Sequence, residues 1–185
     1  MGSGESLSDI RGSVPPHIDH MLISLTGAIV TWWGRIEGLL TRDLITLRQH
    51  PACADYARKE RFPVSTGRVI DQWEKTRNLV FQGNDQKRLQ TSELVTRLRK
   101  CADERNILVH YFWPYGNQQD PSTLRLSSIK PARRSHDDLE FRSVTITLED
   151  LDDLNERLFR LYTPVMAAMM QTRIDRQTTD AKAPE

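Results

Sequence analysis

Residues 21–48, MLISLTGAIVTWWGRIEGLLTRDLITLR, decide the fold. From just before this stretch to its end, Ile18, Leu22, Leu25, Ile29, Trp32 or Trp33, Ile36, Leu40, Leu44 and Leu47 recur at steps of three and four. That is the repeat of one face of an α-helix. About 30 residues at 1.5 Å each make a rod of roughly 45 Å. Gly27 and Gly34 weaken it by up to about 1 kcal/mol each and leave room for another helix to approach. Pro51 closes it.

Reading onward, Ser65 or Thr66 caps a second helix to about Phe81, with a stripe of Val69, Ile70, Trp73, Leu79 and Val80. Asn84 or Asp85 starts a third, whose buried line is Leu89, Leu94, Leu98, Cys101, Leu108 and Phe112, and Pro114 and Gly116 end it. Three such helices with short connections are expected to lie antiparallel. The period then becomes two, over Leu124–Ile129 and Phe141–Ile146. These read as two strands joined across Pro131–Asp138 as a β-hairpin. Thr147 with Asp150 resembles a capping box. The last helix carries Leu151, Leu154, Leu158, Leu161, Val165 and Met169, and Pro164 inside it predicts a kink or break near Tyr162. The fold class is therefore mainly α: an antiparallel helical bundle with a small β-hairpin inserted before the last helix. Residues 1–16 read as a disordered lead-in, 17–170 as a single helical domain and 171–185 as a flexible, polar tail.

The chain has 185 residues, 38% hydrophobic and 28% charged, which suits one soluble globular domain. Its formal charge of +1 names no partner. Two cysteines, Cys53 and Cys101, make no disulfide framework and match no metal spacing, so a reducing, cytoplasmic setting is expected. The apolar run 21–34 is too short and too interrupted to span a membrane, and the leading residues lack the pattern of a secretion signal. They do match a loose myristoylation pattern, which a flexible Gly/Ser leader matches equally well. Charge is uneven along the chain. Residues 57–105 carry twelve basic and seven acidic side chains, while 137–157 carry eight acids against two arginines. The first segment suits an RNA backbone or a solvated mixed face, and the second suits a protein partner.

The segment with chemistry is Arg105-Asn106-Ile107-Leu108-Val109-His110. Asn106 and His110, four apart, share a helix face, and the long Arg105 side chain can reach round to them. An arginine grips phosphate and stabilises charge developing on its oxygens, whereas an imidazole moves protons near neutral pH. Asn can fix the imidazole or bind a hydroxyl. The bland alternatives are an Arg105 paired to Asp103 or Glu104 and a His110 packed among Val109 and Tyr111–Trp113. Trp113 could stack on a base or pack on the bundle end. Glu37, a turn after Trp33, is either an orienting partner for Arg105 or an ordinary solvated acid. His17, His20, His50 and His136 suggest no metal site.

This Arg-Asn-x-x-x-His motif, late in a central helix and just before a proline, resembles the signature of HEPN domains. The resemblance implies an all-helical homodimer whose two motifs face each other in a composite cleft. It also implies, for active members, an endoribonuclease without metal or cofactor, often a toxin or defence effector with an antitoxin or other protein partner. Arg105, Asn106 and His110 would be the catalytic residues, promoting attack of a ribose 2′-hydroxyl on the adjacent phosphodiester. Other members are non-catalytic dimerisation or protein-binding modules, and a small-nucleotide binder is a further alternative. No membrane association is expected.

Overall fold

The computed structural model describes residues 20–110, 123–131 and 139–180. Helix α1 (His20–Arg48) runs unbroken, and Leu22, Ile29, Trp33, Ile36, Leu40, Leu44 and Leu47 are buried along one face as their spacing requires. Trp33 takes the core position, while Trp32 sits beside it against Phe159 and Tyr162, with ring centroids 5.3 and 5.6 Å away. Gly27 and Gly34 do not admit another helix among the described residues. A methyl group at either would meet nothing within 4 Å.

The polar connection holds two elements that periodicity does not reveal, a 3₁₀ turn (Pro51–Cys53) and the short helix α2 (Ala54–Lys59). His50 caps the turn by accepting the Ala52 N–H on Nδ1 at 3.2 Å. Arg48 pins the connection, donating to Gln72 Oε1 at 3.0 Å and to the carbonyls of Ala57 and Glu60 at 2.9 and 2.6 Å. Helix α3 (Thr66–Val80) and helix α4 (Asp85–His110) follow, and Asn84 caps α4 by accepting the Lys87 N–H at 3.0 Å.

The paired residues fix the direction of each helix. Glu37 bonds Thr66 and Asp43 bonds Trp73, so α1 and α3 run in the same sense. Arg77 meets Thr91 while Asp71 and Glu74 meet Arg99, so α4 runs opposite to α3. The antiparallel order expected for the first three helices thus holds for the α3–α4 pair. Between α1 and α3 the 17 residues 49–65 carry the chain back, so these two are parallel neighbours. Leu89 also departs from expectation, at 61% exposed. The buried line of α4 is Thr91, Leu94, Val95, Leu98, Cys101, Ala102 and Leu108, a repeat that does not pass through position 89.

Strands β1 (Thr123–Pro131) and β2 (Leu139–Thr147) form an antiparallel hairpin with Leu126 opposite Val144, and Leu126 is fully buried in the helical core. The chain passes directly from β2 into helix α5 (Leu148–Asp180). At that junction Thr147 and Asp150 form the reciprocal cap. The Thr147 N–H donates to Asp150 Oδ2 at 2.8 Å, and the Asp150 N–H donates to Thr147 Oγ1 at 3.0 Å. The Thr147 N–H and the Thr147 hydroxyl, which also donates to Oδ2 at 2.8 Å, hold the Asp150 carboxyl below its ordinary value. A depressed carboxyl stabilises the fold above its unfolded pKa and loses that contribution as pH falls through the lower folded value. Asp150→Ala is expected to cost about 1 kcal/mol at neutral pH. Urea unfolding of both proteins should show this difference shrinking below about pH 4.

Helix α5 packs along α1 through Leu151, Leu154, Leu158, Leu161, Val165 and Met169, all buried. It does not break at Pro164. The missing N–H removes one bond to the Arg160 carbonyl, and the buried Leu161 and Val165 hold the helix on both sides. Nor does order end at Gln171, where a flexible tail was expected. The helix continues to Asp180, Thr172 is buried, and Asp175 pairs with Lys87 at 2.8 Å. Among the described residues no helix is long and apolar enough to cross a membrane.

Candidate functional site

Arg105, Asn106 and His110 lie in the last two described turns of α4 (Asp85–His110). Arg105 lies three residues beyond Ala102 and three before Leu108, on the buried stripe itself. Its side chain is half-buried as a result, and its Nε is enclosed without a hydrogen-bond partner among the described residues. Nη1 donates to Asn106 Oδ1 at 3.1 Å. An enclosed donor without an acceptor costs about 1–3 kcal/mol, more on a charged group. Arg105 is thus a cation held in place and short of acceptors.

The bland pairing of Arg105 with Glu104 does not occur. Both Glu104 oxygens accept from Arg157 of α5, one of them at 3.1 Å. Asn106 is half-buried and His110 exposed, one turn apart on a common face. Among the described residues no hydrogen bond joins His110 to Arg105 or Asn106, so the structure links the first two and leaves the imidazole open. Glu37 does not orient Arg105, because it accepts the Thr66 hydroxyl at the start of α3. Trp113 and the Tyr111–Phe112 neighbours lie outside the described residues.

The other reactive side chains are quiet. Cys53 and Cys101 are buried free thiols. Burial pushes the Cys53 thiol up to about 11, against the opposing Arg48 charge, and raises Cys101 as well. Among the described residues no three His, Cys, Asp or Glu side chains converge as a metal site would require.

The basic segment 57–105 is less of a free cationic face than its charge count implies. Arg58, Arg77, Lys87, Arg88 and Arg99 all have carboxylate partners. Three of those partners, Asp55, Asp43 and Asp175, come from outside the segment, while Arg157 from outside takes up Glu104 within it, so the excess of +5 falls to +3.

One of these pairs forms a cluster that the sequence reading missed. Asp43 of α1 is buried, and its Oδ2 accepts from Trp73 Nε1 at 2.8 Å, Thr172 Oγ1 at 3.3 Å and Arg77 Nη1 at 3.4 Å. Arg77 also donates to the Ala168 carbonyl and Thr172 Oγ1, both at 2.9 Å, and to Thr91 Oγ1 at 3.3 Å. Its guanidinium lies over the rings of Trp73 and Phe81 at 5.0 and 4.9 Å. Burial raises the Asp43 carboxyl above its ordinary value, with the Arg77 charge and the Trp73 and Thr172 donors acting against it. The available signal was positional. Asp43 interrupts the Leu40–Leu44–Leu47 face, and Arg77 follows Trp73 by one turn. Two opposite charges in two apolar stripes predict a pair.

No protein-family model, no curated protein and no solved structure matches this chain.

Proposed function

We propose that the protein is a HEPN-like endoribonuclease that needs no metal, with Arg105, Asn106 and His110 as its catalytic group. The observation that carries this reading is Arg105, which is half-enclosed, lacks a carboxylate partner among the described residues and shares a helix end with an exposed imidazole. A phosphate oxygen is the acceptor such a guanidinium lacks. Asn106, already accepting from Arg105 Nη1, fixes the fork. His110 takes the proton of the ribose 2′-hydroxyl as O2′ attacks phosphorus. The 5′-oxygen leaves with a proton, and a 2′,3′-cyclic phosphate remains. In the homodimer implied by the resemblance, a second copy of the motif supplies the opposing acid. The setting in this reading is the cytoplasm, with a toxin or defence role and an antitoxin or similar partner.

The test is incubation of the full chain with labelled total RNA in EDTA, followed by end-group analysis. New 2′,3′-cyclic phosphate and 5′-hydroxyl ends are the expected result. Intact RNA across total RNA and a panel of structured transcripts would overturn the reading. It would leave a helical module for binding a protein, with the exposed acids Glu149, Asp152 and Asp153 of α5 as its contact surface.

A further inference from the structure

Between α4 and α5, over α3, lies a cleft of about 360 Å³. Lys87, Gln90, Thr91, Leu94 and Arg97 form its α4 wall at helical spacing, and Pro164, Ala167, Ala168 and Gln171 form its α5 wall. The cleft exists because α5 offers a proline and two alanines where a larger side chain would fill the gap. Its floor is Trp73 and the buried Arg77.

Arg77 reaches the cleft in an unusual state. Its Nε and Nη1 are bonded inside the protein, to Thr91 and to Asp43, Ala168 and Thr172. Its Nη2 makes no hydrogen bond among the described residues. The guanidinium is therefore fixed in position over Trp73, on the floor of the cleft, with one N–H group left unbonded. Arg97 adds a second cation to the lining, Lys87 a third that is already paired with Asp175 at 2.8 Å, and Glu93 is the one carboxylate among the lining residues. Trp73, Leu94, Pro164, Ala167 and Ala168 are the apolar members of the lining. A pre-formed apolar recess with a few fixed polar groups is the usual form of a small-molecule site, and its volume lies within the usual range.

We propose that this cleft binds a small organic anion, with its carboxylate or phosphate on Arg77 Nη2 and Arg97 and its flat apolar body against Leu94, Pro164 and Ala167. The site is separate from Arg105 and His110 and stands whether or not the protein cleaves RNA. A bound anion bridges α3, α4 and α5 and raises the unfolding temperature by mass action.

Phenyl phosphate and benzoate are the probes, with benzyl alcohol and inorganic phosphate as controls. They are titrated into the full chain by calorimetry and thermal unfolding. Because Arg77→Met also breaks the buried Asp43 pair, the informative variants are Arg97→Ala and Ala167→Phe, both at exposed positions. Ala167→Phe places a ring in the recess. The expected result is saturable binding of at least one aromatic anion. Both variants should weaken it at least tenfold, and benzyl alcohol and inorganic phosphate should bind at least tenfold more weakly. Preference between the two aromatic anions identifies the head group. No saturable binding up to about 10 mM overturns the proposal. So does binding that is indifferent to Ala167→Phe, or binding that either control matches.

Discussion

Asp43→Ala is expected to cost about 3–5 kcal/mol of folding stability, because it strands a buried guanidinium. In the native protein the Asp43 carboxylate is the only carboxylate within hydrogen-bond distance of Arg77 among the described residues, at 3.4 Å, with Asp175 acting from further off, and Asp43 also accepts from Trp73 and Thr172. Removing it leaves Arg77 with the Ala168 carbonyl and the hydroxyls of Thr172 and Thr91. These are neutral acceptors that cannot balance a charge taken out of water. The indole N–H of Trp73 loses its partner too. With a urea slope of about 2 kcal/mol/M, the midpoint should fall by about 1.5–2.5 M. The double variant Asp43→Leu/Arg77→Met, which replaces the pair by apolar side chains, should recover most of that loss. A single variant within about 1 kcal/mol of wild type would mean that Arg77 finds water through the cleft and does not depend on Asp43.

That cluster also shows where the sequence was legible and where it was not. The α1 stripe and the α5 stripe were readable because large apolar residues at steps of three and four have one way to be buried on a helix. The sense in which α3 runs beside α1 was not readable. Periodicity states which face is buried and nothing about direction, and the return path 49–65 is held by the hydrogen bonds of one side chain, Arg48, to two carbonyls and Gln72. Likewise, Thr172 and Asp175 read as a solvated tail because they are polar. They are ordered because buried Arg77 and half-buried Lys87 require oxygen acceptors at that level of the bundle. Polar residues recruited by a buried charge leave no periodic trace.

The candidate site divides in the same manner. Spacing alone placed Arg105, Asn106 and His110 along one stretch of helix, and all three lie in α4. The choice of partner was hidden. Glu104 and Asp103 stand equally near Arg105 in sequence, yet helix geometry turns Glu104 toward Arg157 of α5 and turns Arg105 inward. The charge count suffered from the same blindness. Asp43, Asp55 and Asp175 neutralise basic residues from sequence-distant or flanking positions that a segment sum does not include.

The motif makes its sharpest prediction through the opposition of activity and stability. His110 is exposed, so His110→Ala should leave the unfolding midpoint unchanged while cutting RNA cleavage by about 100- to 10,000-fold, the usual range for loss of a general acid or base. Arg105→Ala should also abolish measurable cleavage. It should leave stability unchanged or slightly raised, because it removes an enclosed Nε–H that has no acceptor. Arg105→Lys keeps a charge but lacks the planar fork, so it should fold normally and cleave nearly as poorly as the alanine variant. The measurements are single-turnover cleavage of one labelled RNA and urea unfolding of each variant. A merely structural Arg105 gives the reverse pattern, in which stability falls with Ala, recovers with Lys, and cleavage follows stability. That pattern, or His110→Ala retaining near wild-type cleavage, removes the residue concerned from the mechanism. Only a group held in the fold for something outside the fold produces full stability with no activity.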